Sequence, residues 1–467
     1  MSEGRGGRRG STGGGRGGGG RSGAGGRGRG GSAGTGQPGP RRPPAPVTVR
    51  IDSIAAGGEG VGRLPDGRVT FVHRTAPGDL AQIVLTETKD RWTRGQLLRV
   101  IEPSPERREA PCPFYARCGG CTLEHMPYDA QLRAKGRIVA DALARIGGVP
   151  VEAPEVVPSP SEFRYRNRVS FALRRMEHGR VVAGFHAIGA PDEIVDLDGA
   201  CLLFEEAIGR VWDGIRASWG PDARRLPSGE QLRLTLRTNA AGEVSLLVEG
   251  GFLPGRPQEL IDAVPGLVSV WHRPREANAE LIAGAPGLPE TWGDETVELS
   301  GAAFLQVNRA AAALLEAYAM ELAGDVAGLR VVDAYCGIGL HARRLARAGA
   351  VVTGIELDPD AVAEARRSAP EGAVFVEGPV EALIGEHLPA DLVILNPPRA
   401  GIAAEAADAL VAAPSGRILY ISCNPATLAR DLKRMSAAYR LESIRSFDLF
   451  PQTAHVESVA LLVGTGA

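Results

Sequence analysis

Two groups of residues could do chemistry by their type and spacing. Cys423 sits in LYISCNPATLARDL, residues 419–432, where Leu419, Tyr420 and Ile421 read as the end of a buried strand and Thr427 to Leu432 as a helix. A free thiol where a buried strand stops is either a small apolar residue filling a core gap or a nucleophile. The second group is Cys112-x5-Cys118-x2-Cys121, which brackets Gly119 and Gly120, with Cys201 in DLDGACLLF as the available fourth thiol. In a cytoplasmic chain disulfides are not expected, so this spacing reads as a metal site. Zinc and an iron–sulfur cluster both satisfy it.

A third stretch suits a nucleotide cofactor. Asp333-Ala-Tyr335-Cys-Gly337-Ile-Gly339 closes a predicted strand. Its glycines let the backbone approach a ligand, and the next helix offers a positive N-terminus. Glu356, ending the following strand in GIELD, is placed to accept hydrogen bonds from ribose hydroxyls. Gly337-x-Gly339-x-x-Ala342 with a later acid also matches the dinucleotide fingerprint. However, Asp333 to Cys336 separate the strand from the first glycine, and an acid there opposes a pyrophosphate. The positively charged sulfonium of S-adenosylmethionine tolerates it, so this cofactor is preferred to NAD. Cys336, inside the turn, reads as a packing residue.

These residues need elements to position them. From residue 296 onward, strands such as LRVVDA, AVVTGIE and RILYIS alternate with amphipathic helices, the pattern of a doubly wound, mostly parallel α/β sheet. Such sheets bind ligands at the carboxyl ends of their strands, where Cys423 falls. Residues 47–103 hold five short alternating runs separated by glycine-rich turns, which predict an OB-type barrel suited to nucleic acid. Residues 104–295 carry the cysteine loop, then a helix ending near Gly147, then strands from Phe163 to Val248 with a helix around Leu203 to Trp219. In FRYRNRVSF, Arg164, Arg166 and Arg168 share one face of a predicted strand, either a phosphate track or a solvated surface. Residues 1–46 contain 20 glycines and nine arginines against one acid, Glu3, so the net charge of −2 conceals a basic tail before an acidic body. That tail is expected to be disordered, either an RNA-binding or a solubilising extension.

The chain resembles the RNA 5-methyluridine methyltransferases, the uracil-C5 family that acts on tRNA and ribosomal RNA, over nearly everything after residue 46. The motifs that carry this are CPFYARCGGC with the distant Cys201, AFLQVN, DAYCGIGL, GIELDP, NPPRAG followed by LYISCNPATLARDL, and FDLFPQTAHVE. The resemblance implies an N-terminal TRAM domain of the OB type, a central mixed α+β domain with a [4Fe-4S] cluster, and a class I Rossmann-like methyltransferase domain. It puts Cys112, Cys118, Cys121 and Cys201 at the cluster, and Gln306, Tyr335 and Glu356 at the S-adenosylmethionine site. Cys423 takes the position of the nucleophile and Glu457 that of the general base. Asn396 stands where the family usually has Asp, and an amide there can contact cofactor or uracil but carries no charge.

The implied reaction is methylation of uracil carbon 5 in RNA, with ribosomal RNA preferred and tRNA as the alternative. Cytosine-C5 enzymes are disfavoured because the loop that would carry their second cysteine reads NPPRAG. A non-catalytic RNA-binding protein retaining the fold is opposed by the intact Cys423 and Glu457. With no apolar run of membrane-spanning length and no apolar signal core, a soluble, cytoplasmic monomer is expected.

Overall fold

The computed structural model describes residues 45–275, 277–292, 295–299 and 305–466. The Arg/Gly-rich tail lies outside the described residues as far as residue 44. Five strands, Val47–Ile54, Gly60–Arg63, Val69–Val72, Leu80–Thr88 and Trp92–Glu102, close into a barrel. Val49, Ile51, Val72, Ala81 and Ile83 fill its interior, as alternation along a closed sheet requires.

A seven-stranded sheet follows. Its middle strand, Gln231–Thr238, runs antiparallel to both of its neighbours, Arg168–Arg175 and Val244–Glu249. The helix Glu206–Ser218 buries Ile208, Val211, Trp212 and Ile215, a helical stripe that packs in one core with Phe171 and Leu234. The Trp212 and Phe171 ring centres lie 4.4 Å apart.

The third layer is an eight-stranded sheet. In spatial order its strands are Ala373–Glu377, Val351–Glu356, Arg330–Ala334, Leu392–Leu395, Arg417–Ser422, Glu457–Gly464, Tyr439–Phe447 and Val156–Val157. The first five are parallel, and Glu457–Gly464 runs antiparallel to both of its neighbours. Leu392–Leu395 is buried at every position, as expected of a central parallel strand with helices on both faces. The edge strand Val156–Val157 comes from far earlier in the chain. The helix Tyr128–Ala142 and the π-turn Leu143–Gly147 contribute Val139 and Leu143 to the core that holds Tyr420, Leu428 and Met435.

Arg164, Arg166 and Arg168 do not form the expected row. The strand starts at Arg168, and Arg164 adopts a left-handed φ of +55°. Here the backbone follows residues 202–204 instead, with the Arg164 amide donating to the Leu202 carbonyl and the Arg166 amide to that of Leu203. The Arg164 guanidinium donates to the Cys201 carbonyl at 2.6 Å, and that of Arg166 lies 5.7 Å from the Phe450 ring centre. Two of these arginines therefore serve internal packing rather than one exposed face.

Candidate active site

The antiparallel ladder between Arg417–Ser422 and Glu457–Gly464 pairs Ile421 with Val459 and Ser422 with Ser458. The ladder ends there, with Cys423 the next residue, in a bend, and Glu457 the first residue of the last strand. The thiol and the carboxyl, 34 positions apart in sequence, both flank the end of this ladder and act on one another at the carboxyl end of the parallel strands. After Cys423 the chain turns sharply into the helix Pro425–Met435. Asn424 caps that helix by accepting from the Ala426 amide at 3.1 Å, and Pro425 opens it with its fixed φ.

Arg399 completes the cluster. Its carbonyl accepts from Asn424 Nδ2 at 3.1 Å and from Thr427 Oγ1 at 3.3 Å, which ties the NPPRAG loop to the cysteine turn. Its guanidinium reaches His455 Nε2 at 3.2 Å and acts on the Cys423 thiol. Burial raises the pKa of that thiol, the neighbouring Glu457 raises it further, and Arg399 opposes both. Burial pushes Glu457 up to about 8, again against Arg399. His455 is driven down to about 4 by burial and then by Arg399, so it is neutral beside the cation. His455 was not singled out from sequence, although it stands two residues before Glu457. Its signal is a titratable residue on the approach to the strand that Glu457 begins.

At the cofactor turn Tyr335 has φ +63°, a conformation rare for a residue with a side chain and a common mark of a functional turn. Gly337 has φ +56°, and a Cβ placed on it would meet no atom within 4 Å, so the turn borders open space. Gly339 differs, since a Cβ there would lie 2.5 Å from Phe375. Glu356 accepts the Gly337 amide at 2.9 Å on one carboxylate oxygen and the Leu357 and Asp358 amides at 2.7 and 2.9 Å on the other. Its remaining lone pairs are available to a ribose. Asp333 is fully buried, accepts the Ala342 amide at 3.0 Å and is raised to about 6 by burial, so it braces the turn from within. Asn396 follows the strand Leu392–Leu395, its amide donating to the Ala334 carbonyl beside the turn. Gln306 is partly buried, and its carbonyl accepts from Asn167 Nδ2 at 3.1 Å. Cys336 packs against the core of this sheet.

The other four cysteines are gathered near the edge of the seven-stranded sheet, where Cys118 bridges to Ala187. Burial raises all four, taking Cys201 to about 12, and Cys112 and Cys118 raise Cys201 further. Cys121 feels both Cys118 and Cys201, so the four thiols occupy one electrostatic neighbourhood. A Cβ on Gly119 would lie 2.9 Å from the His186 carbonyl, and one on Gly120 2.8 Å from the Phe185 ring, which explains the glycine pair. The Gly120 amide donates to Cys118 Sγ at 3.3 Å. Among the described residues no three His, Cys, Asp or Glu side chains converge to hold a single metal ion. A cluster that spreads its thiolates over separate irons does not require that convergence.

Residues 385–464 match the family described as tRNA (Uracil-5-)-methyltransferase, residues 331–413 a methyltransferase domain, and residues 45–98 a TRAM domain, which is the barrel. An uncharacterized RNA methyltransferase of Gloeobacter violaceus is 37% identical over 443 residues, covering 89% of this chain and 96% of its own. The chain belongs to the RNA (uracil-5-)-methyltransferase family. A second relative, from Thermosynechococcus vestitus, is 33% identical over 90% of this chain and 98% of its own. The tRNA (uracil-54, C5)-methyltransferase of Pyrococcus abyssi, solved with S-adenosyl-L-homocysteine, is 27% identical, covers 89% of this chain and 99% of its own, and gives a TM-score of 0.69. This methyltransferase therefore has the class I S-adenosylmethionine-dependent fold beside a TRAM barrel. Among the described residues no helix is long and apolar enough to cross a membrane.

Proposed function

We propose that this methyltransferase methylates carbon 5 of a uridine in RNA through a covalent adduct on Cys423. The observation that carries the reading is that Cys423 and Glu457 flank the end of one antiparallel ladder and act on one another there. Uracil carbon 5 is a weak nucleophile until a thiolate adds to carbon 6 and turns the ring into an enolate. Cys423 is that thiolate, favoured by Arg399. S-adenosylmethionine, when bound, supplies the methyl group that carbon 5 accepts. Glu457 then takes the carbon 5 proton, the double bond re-forms and the thiolate leaves. Burial at the strand end keeps water from competing for that proton. Tyr335, Gly337, Glu356, Asn396 and Gln306 would hold the cofactor, at the turn whose open side is marked by Gly337.

In this reading residues 47–103 and 104–295 hold the RNA, 296–467 carry out transfer, and 1–46 add phosphate contacts without selecting a base. The uridine must leave its stack to reach Cys423. Ribosomal RNA is the first substrate class proposed. The similarity to an archaeal tRNA enzyme over 89% of the chain favours tRNA as a second reading. Mapping 5-methyluridine in ribosomal and transfer RNA of a deletion strain and its parent decides between them, and no lost position in either would end both readings.

The residues also fit a [4Fe-4S] cluster on Cys112, Cys118, Cys121 and Cys201. Four thiols, Cys118 and Cys201 buried and Cys112 and Cys121 partly buried, share one neighbourhood, the glycine pair permits close packing, and a backbone amide already donates to sulfur. Protein purified without oxygen should be brown with about four irons per chain. Stoichiometric zinc without iron would overturn this assignment.

A further inference from the structure

The segment from Asp448 to Val456 leads directly into Glu457, and its backbone is held largely by residues outside the methyltransferase sheet. The Gln452 carbonyl accepts the amides of Thr122 and Leu123, each at 2.9 Å, in the residues immediately after Cys121. Thr122 Oγ1 accepts from the Ala454 amide at 3.2 Å. The Pro451 carbonyl accepts the Tyr165 hydroxyl at 2.9 Å and the Phe450 carbonyl accepts Lys135 Nζ at 3.1 Å. Lys135 and Asp448, both fully buried, form an ion pair beneath the segment.

Gln452 is the fixed point of this strap. It is fully buried with φ +67°, a left-handed conformation that a residue with a side chain keeps only where its surroundings over-determine it. Its Oε1 accepts from Gln131 Nε2 at 2.9 Å and Arg108 Nη2 at 3.1 Å. Its Nε2 donates to the Glu162 carbonyl at 3.3 Å, and its amide donates to Gln131 Oε1 at 3.0 Å. All these partners lie in the central segment that carries the cysteine loop.

We propose that Gln452 is a positioning residue through which the cysteine loop holds Glu457 against Cys423. This rests on the reading of Glu457 as the general base. The loop Cys118–Leu123 grips the strap, and the strap sets where the last strand begins. Loosening it affects the step that uses Glu457. In that step the carbon 5–hydrogen bond breaks and the proton passes to Glu457. The released electron pair forms the carbon 5–carbon 6 double bond, and the carbon 6–sulfur bond breaks to return the Cys423 thiolate. Addition of the thiolate and methylation, which precede it, continue.

The test uses full-length protein, methyl-labelled S-adenosylmethionine and total RNA from a strain lacking the gene. Gln452→Ala removes the side-chain anchors, and Thr122→Val keeps the shape of Thr122 while losing the acceptor for Ala454. Turnover of Gln452→Ala should fall about 10²-fold, as for a catalytic group displaced by roughly 1 Å. A methylated, denaturant-resistant protein–RNA adduct should accumulate, the midpoint of the pH–rate profile should shift, and amides of residues 453–457 should exchange faster. Thr122→Val should show the same pattern more weakly. A purely structural role would lower the folded yield but leave the adduct fraction and pH profile of the folded enzyme unchanged, and that result overturns the proposal. If Gln452→Ala does not fold, Thr122→Val decides, with wild-type adduct and exchange counting against it. Glu457→Gln separates the two levels. If it accumulates no adduct, the base assignment fails; if it does and neither strap variant does, the coupling fails.

Discussion

The two cysteine-bearing regions of this methyltransferase are built by different means. Cys423 is placed by the end of a β-ladder: the strand it follows, and the strand that Glu457 begins, set its neighbours. Cys112, Cys118, Cys121 and Cys201 are assembled from loops, with Cys201 carried by a segment anchored through Arg164 and the others by a turn that Arg74 ties to the barrel. The first arrangement puts a thiol near a buried carboxyl and a guanidinium. The second puts thiols among thiols, with Glu124 raised by burial nearby and its Oε1 taking the Cys112 amide at 2.8 Å. A lone thiol with shaped charges suits bond making, whereas a group of buried and half-buried thiols suits a bound centre.

The largest contrast should come from removing single thiols. Cys201→Ser should lose the bound iron and soften the protein around it, measured by iron content and thermal melting. Cys423→Ala should keep the iron and the melting temperature while losing all transfer. Equal iron loss in both would break the distinction between the regions.

Next in size is the buried link between them. Lys135→Met leaves Asp448 charged, buried and unpaired, and should cost about 3–5 kcal/mol in denaturant unfolding. A change within 1 kcal/mol, roughly that of an ordinary surface substitution, would show that the pair does not support the strap.

The smallest effect is a pH dependence that belongs to Glu457. Its folded-state value of about 8 lies above the ordinary carboxyl value of 4.5, so in that window the folded chain holds a proton that the unfolded chain has released. Stability therefore falls as pH rises through this window, by up to about 1.4 kcal/mol per pH unit, and this component vanishes in Glu457→Gln. Single-turnover transfer should move the other way, rising as pH passes about 8 and the base ionises. Parallel stability curves for wild type and Glu457→Gln would remove Glu457 as the titrating group.

Much of this architecture was legible in the sequence because its signals are local. The barrel strands alternate, the parallel strands are runs such as Leu392–Leu395 with helices between them, and the helix Tyr128–Gly147 ends at Gly148. Long-range pairings were not legible. The strand Val156–Val157 is two residues long, and its place at the edge of the third sheet depends on a partner nearly 300 positions away. Arg164 and Arg166 read as a strand by alternation, but φ +55° at Arg164 breaks the period. At the candidate site the motif supplied Cys423 and Glu457, whereas their proximity follows from the reversed direction of the last strand. His455 and Gln452 stayed hidden because a neutral ring beside a guanidinium and a buried amide in a left-handed turn are tertiary facts.

The central claim is that Cys423 and Glu457 divide one reaction, and denaturing gel electrophoresis with methyl-labelled S-adenosylmethionine tests it most directly. Cys423→Ala should form neither adduct nor product, since carbon 5 is never activated. Glu457→Gln should trap a denaturant-resistant protein–RNA complex that already carries the labelled methyl group, because elimination lacks its base. Turnover by Cys423→Ala, or an unlabelled or absent complex with Glu457→Gln, would contradict the account.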